Sequence, residues 1–95
     1  MGTIPDITIP SDDFISINTQ SGLAVGTAIE IQLKGVSPVV IYEGSVKPLA
    51  TVSDGKAVTN LKTGYAVIYV TGGSEEIWAR CLIEGRTSKI NVSEA

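Results

Sequence analysis

The chain has 95 residues, 43% of them hydrophobic and 18% charged, with a formal net charge of −3 and no histidine. That length gives one domain with one core. A mildly acidic surface without a basic cluster has no electrostatic grip on nucleic-acid phosphates, and the missing histidine removes Ser-His-Asp, Cys-His and imidazole-zinc chemistry.

The first segment, residues 1–13, reads as an extended N-terminal arm. Ile4, Ile7 and Ile9 are interleaved with Pro5 and Pro10, which remove ladder donors and fix φ, so the arm is expected to be loosely tied to the domain that follows over residues 14–95; the alternative is that the residues before Ser11 are disordered or form an edge strand of the same domain. Its apolar side chains make Ile4, Pro5, Ile7, Ile9 and Pro10 candidate partner-binding residues. It has neither the positive start nor the continuous apolar stretch of a secretory signal.

Phe14 to Asn18 is the first expected strand, closed by a polar turn through Gly22. In Thr27–Leu33, Ile29, Ile31 and Leu33 fall on one face and Glu30 and Gln32 on the other, the period of two of a half-wet strand. Lys34-Gly35 and Ser37-Pro38 separate it from Val39–Glu43, and the two read as an antiparallel pair. Weaker signals for Ala50–Val52 and Lys56–Val58 flank Asp54-Gly55, a hairpin turn. The run Tyr65–Val70 lacks alternation and predicts a central strand covered on both faces. Ile77–Ile83 places Ile77, Ala79, Cys81 and Ile83 on the core side and Trp78, Arg80 and Leu82 on the other. Lys89–Val92 ends the series.

Strands separated by turn signals about every 8 to 12 residues predict an all-β fold, a mainly antiparallel two-sheet β-sandwich, with a small β-barrel as the second form. The longest apolar run is far below the ~20 residues of a membrane-spanning helix, so neither a membrane nor a nucleic acid is an expected partner.

Chemistry-bearing residues are few. Asp12-Asp13 and Glu75-Glu76 are paired carboxylates in expected loops, where solvated turn residues are the ordinary case. Cys81, the sole cysteine, reads as a core residue, and without partners it makes neither a disulfide nor a thiolate metal site. Asn91-Val92-Ser93 matches the glycosylation sequon only by its three residues. No cofactor and no metal is expected, and the chain reads as no enzyme. Trp78, Arg80 and Leu82 form a second apolar and cationic face, a candidate oligomer interface; a domain this small gains stability by association, with a closed trimer preferred.

The succession Ser21–Gly35, then Val40-Ile41-Tyr42-Glu43-Gly44 with Lys47-Pro48, then Ile77-Trp78-Ala79-Arg80 and Ile90-Asn91-Val92, resembles small virion proteins of tailed bacteriophages. In such proteins a strand, a polar glycine turn, a second apolar strand and a late Trp-x-Arg strand form a β-sandwich. It attaches to the particle as a capsid decoration, a head fibre or a tail accessory. The resemblance implies a non-enzymatic virion structural protein, made in the bacterial host cytoplasm, whose partner is the major capsid protein or another virion protein and which most simply decorates and stabilises the assembled head. A tail accessory protein and a carbohydrate-recognition or host-adhesion module are the alternatives.

Overall fold

A computed structural model of the chain describes residues 4–35, 37–49, 51, 55–58, 68–70 and 75–94. Among these residues eight strands, β1 (Ile7–Ile9), β2 (Ile15–Ser16), β3 (Ile29–Leu33), β4 (Val39–Glu43), β5 (Lys56–Val58), β6 (Ile68–Val70), β7 (Ile77–Cys81) and β8 (Ser88–Glu94), and one short helix, α1 (Ile17–Ser21), follow in chain order. They form two four-stranded antiparallel sheets, β1-β8-β3-β6 and β2-β7-β4-β5. The predicted two-sheet sandwich is the observed architecture.

The core lies between the inner faces. Ile29, Ile31 and Leu33 of β3, Ile90 and Val92 of β8, and Ile7 and Ile9 of β1 meet Val39 and Ile41 of β4 and Ile77, Ala79 and Cys81 of β7, with Ile17 of α1 sealing one side. Cys81 is the small buried residue the alternation predicts. Each strand contributes every second side chain because its pleat alternates faces, and burial removes these apolar surfaces from water at about 25 cal/mol per Å².

Five sequence expectations are corrected. Residues 7–9 are not a loosely tied arm but the edge strand β1, with Ile7 opposite Ile90 and Ile9 opposite Ser88. The prolines bracket this strand rather than forbid it: Pro5 and Pro10 lie just outside the three paired residues, where a missing N–H breaks no ladder bond. Ile7 and Ile9 are buried and Ile4 packs against the same core, so these isoleucines are not free to grip a partner from this arrangement.

The first strand is shorter than expected, since the chain turns into α1 after Ser16. The Ser16 hydroxyl accepts from the Thr19 N–H at 3.2 Å as N-cap, and the Gly22 N–H returns to the Asn18 carbonyl at 2.9 Å to end the helix. Asn18 is buried there. Its Oδ1 accepts from the Ile77 N–H at 2.8 Å and its Nδ2 donates to the Leu23 and Ala24 carbonyls, binding helix, loop and β7 together.

β3 and β4 are consecutive but sit in different sheets. The N–H groups of Lys34 and Gly35 both donate to the Lys89 carbonyl, keeping the chain on β8. The chain then crosses over: the Ser37 carbonyl accepts from the Ser88 hydroxyl at 2.8 Å and the Pro38 carbonyl from the Leu82 N–H at 2.9 Å. A Cβ on Gly35 would stand 2.7 Å from the Lys89 nitrogen, so this close passage needs glycine. Among the described residues β6 ends its sheet instead of standing centrally; Tyr65–Val67 of the predicted run lie outside them, as do Ala50 and Val52, while Thr51 is in a turn. β7 stops at Cys81, leaving Ile83 outside the core at 42% exposure.

Two substitutions test these joints by urea unfolding. Asn18→Ala leaves the buried Ile77 N–H without its acceptor and is expected to lower stability by about 1–3 kcal/mol; a loss below a few tenths would mean that the bridge contributes nothing. Gly55→Ala places a Cβ 2.3 Å from the Ile41 carbonyl oxygen at a residue with φ of 117°, so a loss of about 2 kcal/mol or more is expected.

Candidate functional site

Sheet β2-β7-β4-β5 has an unusual outer face. Alternation along β7 turns Trp78 and Arg80 outward, and cross-strand register sets Trp78 against Tyr42 and Arg80 against Val40. An outer face of this composition has to be covered. Phe14 supplies part of the cover: its ring meets Tyr42 edge-on with centroids 6.3 Å apart, and the Arg80 guanidinium lies 5.3 Å above it. Phe14 and Val40 are each 1% exposed, although both lie outside the inter-sheet core, so this face carries a second small apolar layer.

The connection after β4 supplies the rest. The Trp78 indole N–H donates to the Gly44 carbonyl at 2.9 Å, fixing the start of this connection over the sheet. Lys47 then reaches back to the Asp13 carboxylate at 2.5 Å, and Thr51 lines the same cleft as Arg80 and Leu82. Residues 44–49 are therefore a strap tied at two points, Gly44 and Lys47. Val46 lies between the ties and Leu49 just after them, each 75% exposed.

At the strap's far end, Pro10, Asp12, Thr51, Arg80, Leu82 and Arg86 line an open cleft of about 920 Å³. Its walls are set by short bonds: Arg80 Nη1 donates to the Cys81 carbonyl at 3.1 Å and to the Ser11 carbonyl at 3.5 Å, and the Gly85 N–H donates to the Ser11 hydroxyl at 3.0 Å. Among the described lining residues two guanidinium groups stand with two carboxylates, Asp12 and Glu84, and none is aromatic.

The candidate interface residues Trp78, Arg80 and Leu82 are thus half-buried and turned away from the core, as the alternation places them. Their polar atoms, however, are engaged within the chain: the indole holds the strap and the guanidinium holds the segment after β1. Ahead of Val25 at 57% and Ile83 at 42%, the most exposed large apolar side chains among the described residues are Val46 and Leu49. The sequence marks them weakly, as isolated apolar residues in a stretch punctuated by Gly44, Lys47 and Pro48.

The paired carboxylates are divided among separate tasks. Asp13 holds Lys47, Asp12 lines the cleft, and Glu76 accepts the Ser16 hydroxyl with its side chain and the Gly44 N–H with its carbonyl. Among the described residues no three of His, Cys, Asp and Glu stand together as a metal site. Asn91 of the sequon lies in β8, its amide donating to the Ile4 carbonyl and to Asp6. Among the described residues no helix is long and apolar enough to cross a membrane. Comparison with known protein families, curated proteins and solved structures finds no match to this chain.

Two exposed carboxylates give the fold a pH response. The bond from Lys47 holds the Asp13 carboxyl below its ordinary value, and bonds from Lys34 and Asn91 do the same for Asp6. A lowered folded value means that stabilisation is complete above the unfolded pKa of about 3.9 and is lost as pH falls through the folded value. The thermal midpoint is therefore expected to be level from about pH 7 to 5 and to fall below about pH 4. Asp13→Asn should show a smaller fall in the same scan; an unchanged fall would show that the strap tie does not contribute.

Proposed function

We propose that this chain is a non-enzymatic structural module of a tailed-bacteriophage virion, a protein that decorates and stabilises the assembled head by docking on its major capsid protein. Its place of work is the virion, after synthesis in the host cytoplasm, and its working form is a small homo-oligomer, with a trimer preferred. The strand, glycine-turn and Trp-x-Arg succession that resembles such proteins supports the choice of particle. The geometry supports the mode of contact.

The observation that carries this reading is the tied strap. Val46 and Leu49 are three-quarters exposed on a segment held by Trp78 and Asp13, so little of the strap has to be ordered when a partner covers it. Burying one such side chain is worth about 1.5–3 kcal/mol. A single contact of that size is weak, but a repeating lattice presents the same complementary surface many times and converts small contacts into stable decoration when protomers are linked. The reading needs no catalytic group, in keeping with a chain without histidine.

The cleft favours a second reading, a module that recognises a carbohydrate or a host surface. Hydrogen-bonding groups from Ser11, Asp12, Thr51, Glu84 and Arg86 suit a polar ligand. The resemblance to small virion proteins ranks this reading below the first.

Cosedimentation of the purified chain with heads of the parent phage that lack it separates the two. Binding is expected, with Val46→Asp plus Leu49→Asp weakening it about tenfold or more while the thermal midpoint stays near that of the unaltered chain. Full affinity of the double variant would move the contact off the strap. Failure of the unaltered chain to bind heads, together with a specific glycan signal lost in Arg86→Ala, would replace the first reading by the second.

A further inference from the structure

The strand that the sequence reads as an arm has a second arrangement open to it. Among the described residues β1 pairs with β8 alone, through three residues, Ile7 with Ile90, Thr8 with Lys89 and Ile9 with Ser88. Its polar ties run to the same surface: Asp6 meets Lys34 at 2.8 Å, and Asn91 donates to Asp6 at 2.9 Å and to the Ile4 carbonyl at 2.8 Å. These side-chain and ladder partners all belong to β8 or to the residue that follows β3. None requires that β1 belong to the same molecule.

The slot beneath β1 has to be filled. Ile7 and Ile9 complete a core row that continues through Ile90 and Leu33 of the same sheet, and without them the β8 edge offers unpaired N–H and C=O groups beside exposed apolar side chains. The occupant that satisfies both the pairing and the side-chain shape is the same segment from a second copy. Immediately after Ile9 the chain leaves this sheet for the other, with the Pro10 carbonyl accepting from the Cys81 N–H at 2.8 Å, and β2 begins at Ile15. This crossing is the natural hinge. Pro5 and Pro10 bracket the strand and keep the released segment extended, which lowers the conformational entropy lost when it pairs again.

We propose that β1 is an exchangeable strand: Ile7–Ile9 of one protomer seats on the β8 edge of a second copy, with Pro10–Asp12 as the hinge, and so links protomers of this chain. The exchanged form keeps the ladder, the isoleucine packing, the Asp6 ties and the Asp13 and Phe14 contacts, and gives up at the hinge the bonds of Pro10 to Cys81 and of Ser11 to Arg80 and Gly85, a local cost of the kind domain swapping carries. This inference does not depend on the virion reading and holds or fails apart from it.

Register makes the test specific. Lys89 directs its carbonyl to Lys34 and Gly35, on the side away from β1, so Thr8 and Lys89 are a non-hydrogen-bonded cross-strand pair, the closer kind, with Cα atoms about 4.5 Å apart and within disulfide range. Both are exposed. Two chains are prepared in a Cys81→Ala background, one with Thr8→Cys and one with Lys89→Cys, so that no intramolecular disulfide is possible. They are mixed at high concentration, warmed and oxidised. A covalent heterodimer is expected at about ten times the yield given by Thr8→Cys with Ser93→Cys, which lies on the same strand out of register. Equal yields, or none above collision, overturn the proposal. A second measurement uses the unaltered chain, incubated with a fluorescent peptide of residues 4–11. Slow uptake is expected, abolished by Ile7→Asp in the peptide. No uptake overturns the proposal, and uptake without the register-specific heterodimer does so too, because it describes an edge that opens but does not join two copies.

Discussion

Strand β7 has demanding side chains on both of its faces, and the rest of the molecule answers to that constraint. Its inner set, Ile77, Ala79 and Cys81, is wholly buried and fixes the distance between the sheets. Its outer set, Trp78 and Arg80, carries an indole and a guanidinium, groups too large and too apolar in their bodies to be left on an open sheet face. Two otherwise separate pieces of chain, the stretch before β2 and the connection after β4, are drawn across that face. Phe14 lies against Arg80, Gly44 accepts from Trp78, and Lys47 pairs with Asp13, so the two covers are also tied to each other.

This arrangement links packing to function. A connection of this length that projected into water would be a mobile loop, and apolar residues on it would lose side-chain and backbone freedom on binding. Tied as it is, the strap presents Val46 and Leu49 from a nearly fixed surface. The exposed apolar residues therefore follow from the covering of β7. The cleft has the same origin, because it is the space left where the strap, the residues after β1 and the turn after β7 fail to close completely over Arg80.

Sheet β1-β8-β3-β6 has a different balance. Its central pair, β3 with β8, runs five residues in register and supplies most of its half of the core, whereas β1 adds three at the edge. The inner side chains of β1 are nonetheless deeply buried, so a short ladder carries a large share of apolar burial. An edge element of this kind is fixed by what it covers more than by its hydrogen bonds.

The sequence by itself determined the fold class, the two-faced character of β7 and the inward set of β3, because alternation at a period of two is a local property of an extended chain. Ile29, Ile31 and Leu33 had to share a face wherever the strand was placed. It also determined which chemistries a chain without histidine can use. Only the tertiary structure decided how the strands were paired. The five residues from Lys34 to Pro38 could join a hairpin or cross between sheets, and the choice rests on hydrogen bonds to Lys89, Ser88 and Leu82, distant in sequence. Asn18 looked like a turn residue until Ile77, 59 positions away, gave its side chain a buried partner. Ile7 and Ile9 looked like a free arm because prolines flank them, and the apolar slot beside β8 that holds them is formed by residues at the opposite end of the chain. Pairing and burial are long-range properties: local pattern sets which side chains share a face, and only packing sets what that face meets.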